Sequence, residues 1–177
     1  VVAIDELQSK LDDVERLKSE PIAIIGLGCR FPGGAHDAAS YWSLLKNGVD
    51  AIGEVPAGRW DWADFPGLSP ALPGLESMRW GGYLDNIDRF DAAFFGIAPR
   101  EAAKMDPQQR LFLEVAWEAL EDAGLAPDRL AGSRTSVYSG VCTSDFAALQ
   151  TRSGLDQIDA HYASGIGESI VTGRLSY

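Results

Sequence analysis

The chain has 177 residues, 46% of them hydrophobic, and a formal net charge of −11 from 26 acidic against 15 basic side chains. That length and apolar fraction suit one domain with a sizeable core and exclude a disordered polypeptide, while the acidic balance argues against nucleic-acid or anionic-membrane surfaces, which need basic patches. No apolar run reaches the roughly 20 residues of a membrane helix, no basic-then-apolar leader opens the chain, and two cysteines, Cys29 and Cys142, supply neither a disulfide framework nor a cysteine-rich metal site; a cytoplasmic setting with reduced thiols and no bound metal is expected.

From Ile4 to Leu17 the apolar residues Ile4, Leu7, Leu11 and Val14 follow a 3, 4, 3 spacing among charged neighbours. This is a heptad seam, and two heptads suit either a short coiled coil or a single amphipathic helix lying on the domain. Pro21 ends the helix, so residues 1–20 read as a linker or docking helix and 21–177 as the domain proper. Pro21-Ile-Ala-Ile-Ile-Gly26 is a continuous apolar run, which predicts a central strand buried on both faces of an α/β sheet.

Asp37 to Asn47 predicts a helix with Tyr41, Trp42, Leu44 and Leu45 as its apolar positions and Gly48 as its stop. From Ile52 to Pro99 periodicity is lost among prolines and glycines, with Trp60, Trp62, Phe65 and Trp80 between them. A long loop packed by its own aromatics is expected there, either a functional or partner-facing insertion or a cover for the surface.

Asp106-Pro107-Gln108-Gln109-Arg110 is a strong helix start: Asp106 caps, Pro107 suits the first turn and Gln109 completes a capping box. The helix runs to about Ala123 and closes at Gly124, with Leu111, Phe112, Val115, Ala116, Ala119, Leu120 and Ala123 on one broad face. Leu113 and Trp117 lie off that face, which implies contacts with more than one layer or with a second subunit, while Glu114, Glu118, Glu121 and Asp122 are expected to face water. Thr135 to Val141 alternates as a strand, and Ser164 to Arg174 carries small, close-packing residues.

Several patterns imitate chemistry without completing it. Gly26-Leu-Gly28-Cys-Arg-Phe31 has Phe31 at the third glycine of a dinucleotide fingerprint, so a tight turn after a core strand is the better reading. Gly167-Glu-Ser169-Ile-Val171 lacks the last glycine of a nucleophile elbow. Asp85, Asp88 and Asp91 are spaced by three and lack a calcium loop's turn glycine, which leaves a solvated or capping set. Cys142 follows a predicted strand, but His36 and His161 lie in unrelated stretches, so packing as a small hydrophobe is preferred to catalysis.

The segments Glu20-Pro-Ile-Ala-Ile-Ile-Gly-Leu-Gly-Cys-Arg-Phe-Pro-Gly-Gly34, Gly82-Tyr-Leu-Asp-Asn-Ile-Asp-Arg-Phe-Asp91, Phe94-Phe-Gly-Ile-Ala-Pro-Arg-Glu101, Met105-Asp-Pro-Gln-Gln-Arg110, Trp117-Glu-Ala-Leu-Glu-Asp-Ala-Gly124 and Gly173-Arg-Leu-Ser-Tyr177 occur in this order. Together they resemble the β-ketoacyl synthase (ketosynthase) of modular polyketide synthases. The resemblance implies the N-terminal half of a thiolase-like α/β fold, dimeric with a second ketosynthase subunit. The implied reaction passes an acyl chain from an acyl carrier protein to a cysteine thiolate, and two histidines assist decarboxylation of a malonyl-type extender before a Claisen condensation.

In that family the cysteine follows shortly after the equivalent of Ser176-Tyr177 and both histidines come later. The resemblance therefore gives this chain no catalytic residue and implies inactivity alone. It places Cys142, Thr143, Ser144, Asp145 and Phe146 near the acyl tunnel or the dimer contact, Cys142 standing where the family usually has methionine. No cofactor is bound directly; substrates ride on the phosphopantetheine of the carrier protein. The seam Ile4, Leu7, Leu11 and Val14 matches a linker by which an upstream module pairs. A docking or dimerisation module, or a decarboxylating, non-elongating ketosynthase, are the alternatives.

Overall fold

The computed structural model describes residues 2–59, 76–152, 154 and 158–177. Its helices are α1 (Val2–Ser19), α2 (Ala38–Lys46), α3 (Pro99–Ala102), α4 (Pro107–Asp122), α5 (Asp145–Arg152), α6 (Tyr162–Ile166) and α7 (Ile170–Ser176), and β1 (Gly53–Glu54) pairs antiparallel with β2 (Trp80–Gly81). No helix among the described residues is long and apolar enough to cross a membrane.

The local helix signals act as the sequence predicts. The Asp37 carboxylate accepts the Ser40 N–H while the Ser40 hydroxyl reaches back to the Asp37 N–H, a complete capping box, and Gly48 takes φ +61° just past α2. The Asp106 carboxylate accepts the Gln108 N–H at 2.8 Å, Pro107 occupies the first turn, and Gly124 takes φ +65° beyond α4.

α4 is covered on several sides, as apolar residues on more than one of its faces predict. Leu113, placed off the apolar face by periodicity, is its buried apolar residue, and Trp117 meets Phe94 edge to face at 4.7 Å. Val171 of α7 and Met105, which is 0% exposed, complete this side of the core. Glu118 is partly exposed, as expected, but also takes both ends of the Arg30 guanidinium, a bidentate pair. Glu114 is half-buried, whereas Glu121 and Asp122 are exposed and accept the Trp117 indole N–H and the Leu27 N–H.

The predicted central strand is not formed. Residues 20–30 have no ladder partner, and Ile22 and Ile24 stand 96% and 87% exposed. The segment instead lies along α4, where a Cβ on Gly26 would run into the Ala119 carbonyl and one on Gly28 into the Val115 carbonyl. Residues two apart share a face of extended chain and residues four apart share a helix face, so the two glycines let backbone meet backbone. Their role is close approach; the tight turn comes later, at the Phe31–Ala35 bridge. Thr135 to Val141 likewise keeps its alternation, with Val137, Ser139 and Val141 half-buried and Tyr138 and Gly140 exposed, but gains no ladder.

Two expectations about the surface change as well. The long loop is tied at its base by the pairs Gly53–Gly81 and Glu54–Trp80 and by an Arg79–Glu54 ion pair at 2.9 Å. Trp60, Trp62 and Phe65 lie outside the described residues, and Trp80 is exposed; the aromatic packing on view is Phe90 on Phe95 and both Phe94 and Phe95 on Trp117. The described side chains of α1 lie on nothing: Ile4, Leu7, Leu11 and Val14 are 47–68% exposed, which removes the reading of a helix resting on the domain.

Candidate functional site

The five residues Asp106 to Arg110 open α4, and three of them, Asp106, Gln108 and Gln109, bond to segments distant in sequence. Asp106 caps the helix with its carboxylate and donates its own N–H to the Gly165 carbonyl of α6 at 2.8 Å. Gln108 donates its side-chain amide to the Thr143 carbonyl at 3.2 Å. Gln109 is 2% exposed, and its amide donates to the Ser164 and Gly167 carbonyls, both at 3.2 Å. The capping box predicted for Gln109 is therefore replaced: its side chain turns inward to satisfy carbonyls at the break between α6 and α7, where buried acceptors need partners.

Arg174 of α7 completes this junction. Its guanidinium donates from one terminal nitrogen to Glu101 of α3 at 2.6 Å, from Nε to the Gln109 Oε1 at 2.9 Å, and from the other terminal nitrogen to the Ser164 carbonyl at 3.3 Å. Gly165 allows the approach, since a Cβ there would strike the Lys104 carbonyl. The Gly167–Ser169 stretch is thus a helix break with helical flanks, not a strand-to-helix elbow, and Ser169 makes no side-chain cap.

The segment 142–146 meets the same end of α4. Cys142 is exposed, which corrects its reading as a packed hydrophobe. Among the described residues neither His36 nor His161 is hydrogen-bonded to it. Thr143 takes φ +71°, a left-handed conformation costly for a β-branched residue, held by Gln108 on its carbonyl. Ser144 offers its carbonyl to the Ala147 N–H, and Asp145 begins α5, where a carboxylate suits the helix dipole. Gln150 anchors α5 by donating to the Lys104 carbonyl at 2.8 Å.

Phe146 and Leu149 form one wall of a cleft of about 510 Å³, whose other sides include Pro56, Ile87, Pro107 and Arg110. Burial pulls the Arg110 guanidinium below its ordinary value, against the attraction of Asp106 and Asp88, and its Nε has no partner among the described residues. Burial also lifts the Glu114 carboxyl. On the other side of α4, the bond to Glu118 raises Arg30. Asp91 caps its own turn by accepting the Phe94 N–H at 3.0 Å. Among the described residues no three or more His, Cys, Asp or Glu side chains are grouped to hold a metal ion.

The sequence reading brought out segment 142–146 and the last helix but missed what joins them: Gln108, Gln109, Glu101 and Arg174. The available signal was a pair of uncharged polar residues, Gln108 and Gln109, in the first turn of an amphipathic helix.

Residues 19–177 match the family described as "Beta-ketoacyl synthase, N-terminal domain". The chain is 47% identical over 172 residues to one component protein of the phenolphthiocerol/phthiocerol polyketide synthase of Mycobacterium tuberculosis, a match covering 97% of this chain and 11% of that protein. It is 46% identical to another component of the same synthase from that species, covering 98% and 8%. The first of these matches, at 97% of the chain, reaches into α1, ahead of the family's own boundary. Among solved structures, an oxazolomycin ketosynthase domain from Streptomyces albus aligns with TM-score 0.76 at 34% identity, covering 89% of this chain and 27% of that one. The ketosynthase from module 6 of the bacillaene synthase of Bacillus subtilis aligns with TM-score 0.62 at 31% identity, covering 81% and 24%. The chain spans about a tenth of the curated relatives it matches and about a quarter of the solved ketosynthase chains, and its fold is the N-terminal portion of the thiolase-like ketosynthase fold.

Proposed function

Because this chain belongs to the β-ketoacyl synthase family and is a ketosynthase portion of a polyketide synthase, we propose that it serves as scaffold for a decarboxylative Claisen condensation. In this reading an acyl group arrives on the phosphopantetheine of an acyl carrier protein and passes to a cysteine thiolate outside residues 1–177. The thiolate is both a good nucleophile and a good leaving group, and two histidines, also outside this stretch, stabilise the enolate charge formed when a malonyl-type extender loses carbon dioxide. The carbanion then attacks the acyl thioester, and the thiolate departs.

No residue of 1–177 takes part covalently in this scheme. Its own contribution is positional: residues 143–146 beside the acyl tunnel or dimer contact, and α7 leading toward the nucleophile. The observation that carries the reading is the convergence of both on Asp106–Arg110, within a chain 47% identical to a polyketide synthase component. The full-length synthase, given acyl and malonyl thioesters on carrier protein, is expected to yield a product two carbons longer, whereas residues 1–177 alone yield none. Decarboxylation without elongation by the full-length protein would instead establish the non-elongating alternative.

The exposed seam of α1 favours a second element, pairing of this helix with another copy or with an upstream module. Removal of residues 1–19 is expected to weaken self-association in sedimentation measurements or to slow upstream acyl transfer. If both stay unchanged, the helix has no pairing role.

A further inference from the structure

The Arg174 junction has more bonds than holding two helices together requires. The side chain is 13% exposed, and its fork reaches α3, α4 and the end of α6 at once. Gln109, itself fixed by Arg174, ties the Ser164 carbonyl of α6 and the Gly167 carbonyl that opens the helix break. The Asp106 N–H to Gly165 bond closes the remaining direction. The last turn of α7 is therefore held through Arg174, two residues before Ser176, while Ser176 and Tyr177 themselves are exposed. A seven-residue helix is about 10 Å long, so with the Arg174 fork released a tilt of about 10° at the break before α7 carries its last turn about 2 Å. Misplacement of a reacting group by about 1 Å can cost on the order of 100-fold in rate.

We propose that Arg174, with Gln109 and Glu101 as its acceptors, is a positioning residue: it sets the direction in which the chain leaves α7 and so the place of the thiol that follows. This rests on the ketosynthase reading above. A planar fork can serve three acceptors in fixed directions, whereas a lysine ammonium is a point charge that can pair with Glu101 without orienting the rest. Glutamine at position 101 keeps an oxygen for the same bond.

The test uses the full-length synthase and compares wild type, Arg174→Lys and Glu101→Gln. Acylation from a carrier-bound thioester, followed by intact mass, gives kcat and KM; alkylation by iodoacetamide reports thiol access; thermal melting reports the fold. Arg174→Lys is expected to lower the acylation kcat by about 10-fold or more, with KM and alkylation within about twofold, and Glu101→Gln to stay within about threefold of wild type. Wild-type kcat in Arg174→Lys overturns the inference, as does a loss that tracks the melting temperature across the variants. If Arg174→Lys does not fold, Gln109→Asn reads the same clamp from α4: a selective loss of kcat supports positioning, and an unchanged kcat or a second failure to fold overturns it. A folded wild-type protein that is never acylated overturns the ketosynthase reading instead, and the inference with it.

Discussion

The two flanks of α4 are built on opposite terms. Toward α6 and α7, buried polar groups are matched within the chain: Gln109, Arg174, Glu101 and the Ser164 carbonyl satisfy one another. Toward the N-terminus, the backbone of 26–28 fits α4 closely, yet Ile22, Ile24 and Ile25 beside it and the whole α1 seam stand uncovered. An unmatched buried polar group is expensive, whereas an exposed apolar side chain only forgoes a gain. The first flank must therefore be complete in itself, and the second retains a surface that association can bury.

The comparison is broken most forcefully through the core. Met105→Ala is expected to destabilise the chain by about 3 kcal/mol, as deletion of a fully buried side chain does, read from the urea midpoint; a loss below about 1 kcal/mol would show that this flank is not packed. Gly28→Val forces a branched side chain against the Val115 carbonyl and is expected to cost about 2 kcal/mol. If it is neutral, the close approach of 26–28 to α4 is wrong.

On the uncovered flank, Leu7→Lys with Leu11→Lys is expected to leave monomer stability within about 0.5 kcal/mol, because both residues are exposed. The same pair should abolish self-association through α1, so unaltered sedimentation would remove the seam from that role. The smallest effect concerns Glu114, whose carboxyl is lifted first by burial, against the pull of Arg30. The folded state then holds this proton more tightly than the unfolded one. Its contribution to stability is full below the ordinary carboxylate range and is lost as pH rises through the raised value. Glu114→Gln should gain on wild type as the medium goes from acid to neutral; a difference that does not vary with pH contradicts the assignment.

What was legible in the sequence was local. The boundaries of α2 and α4 follow from Asp37, Asp106, Pro107, Gly48 and Gly124, because caps and stops act within a few residues. The strands at 21–26 and 135–141 were not, because a ladder depends on a distant partner and an apolar run carries no record of one. Gln109 was misread for the same reason. Its capping-box spacing is local and visible, but its actual partners lie 55 to 65 residues away. In segment 142–146 the sequence indicates the stretch but not the exposure of Cys142, since a cysteine reads as a small apolar residue whether the surrounding chain covers it or not. The ketosynthase resemblance was legible throughout, because its motifs lie in contiguous segments.

In the proposed scheme residues 1–177 hold and aim a reactive thiol without supplying it. Its most direct test is peptide mapping of the full-length synthase after incubation with an acyl thioester on carrier protein. The acyl adduct is expected on a cysteine outside residues 1–177, with Cys29 and Cys142 unmodified; an adduct on Cys142 that turns over with malonyl thioester would overturn the scaffold role.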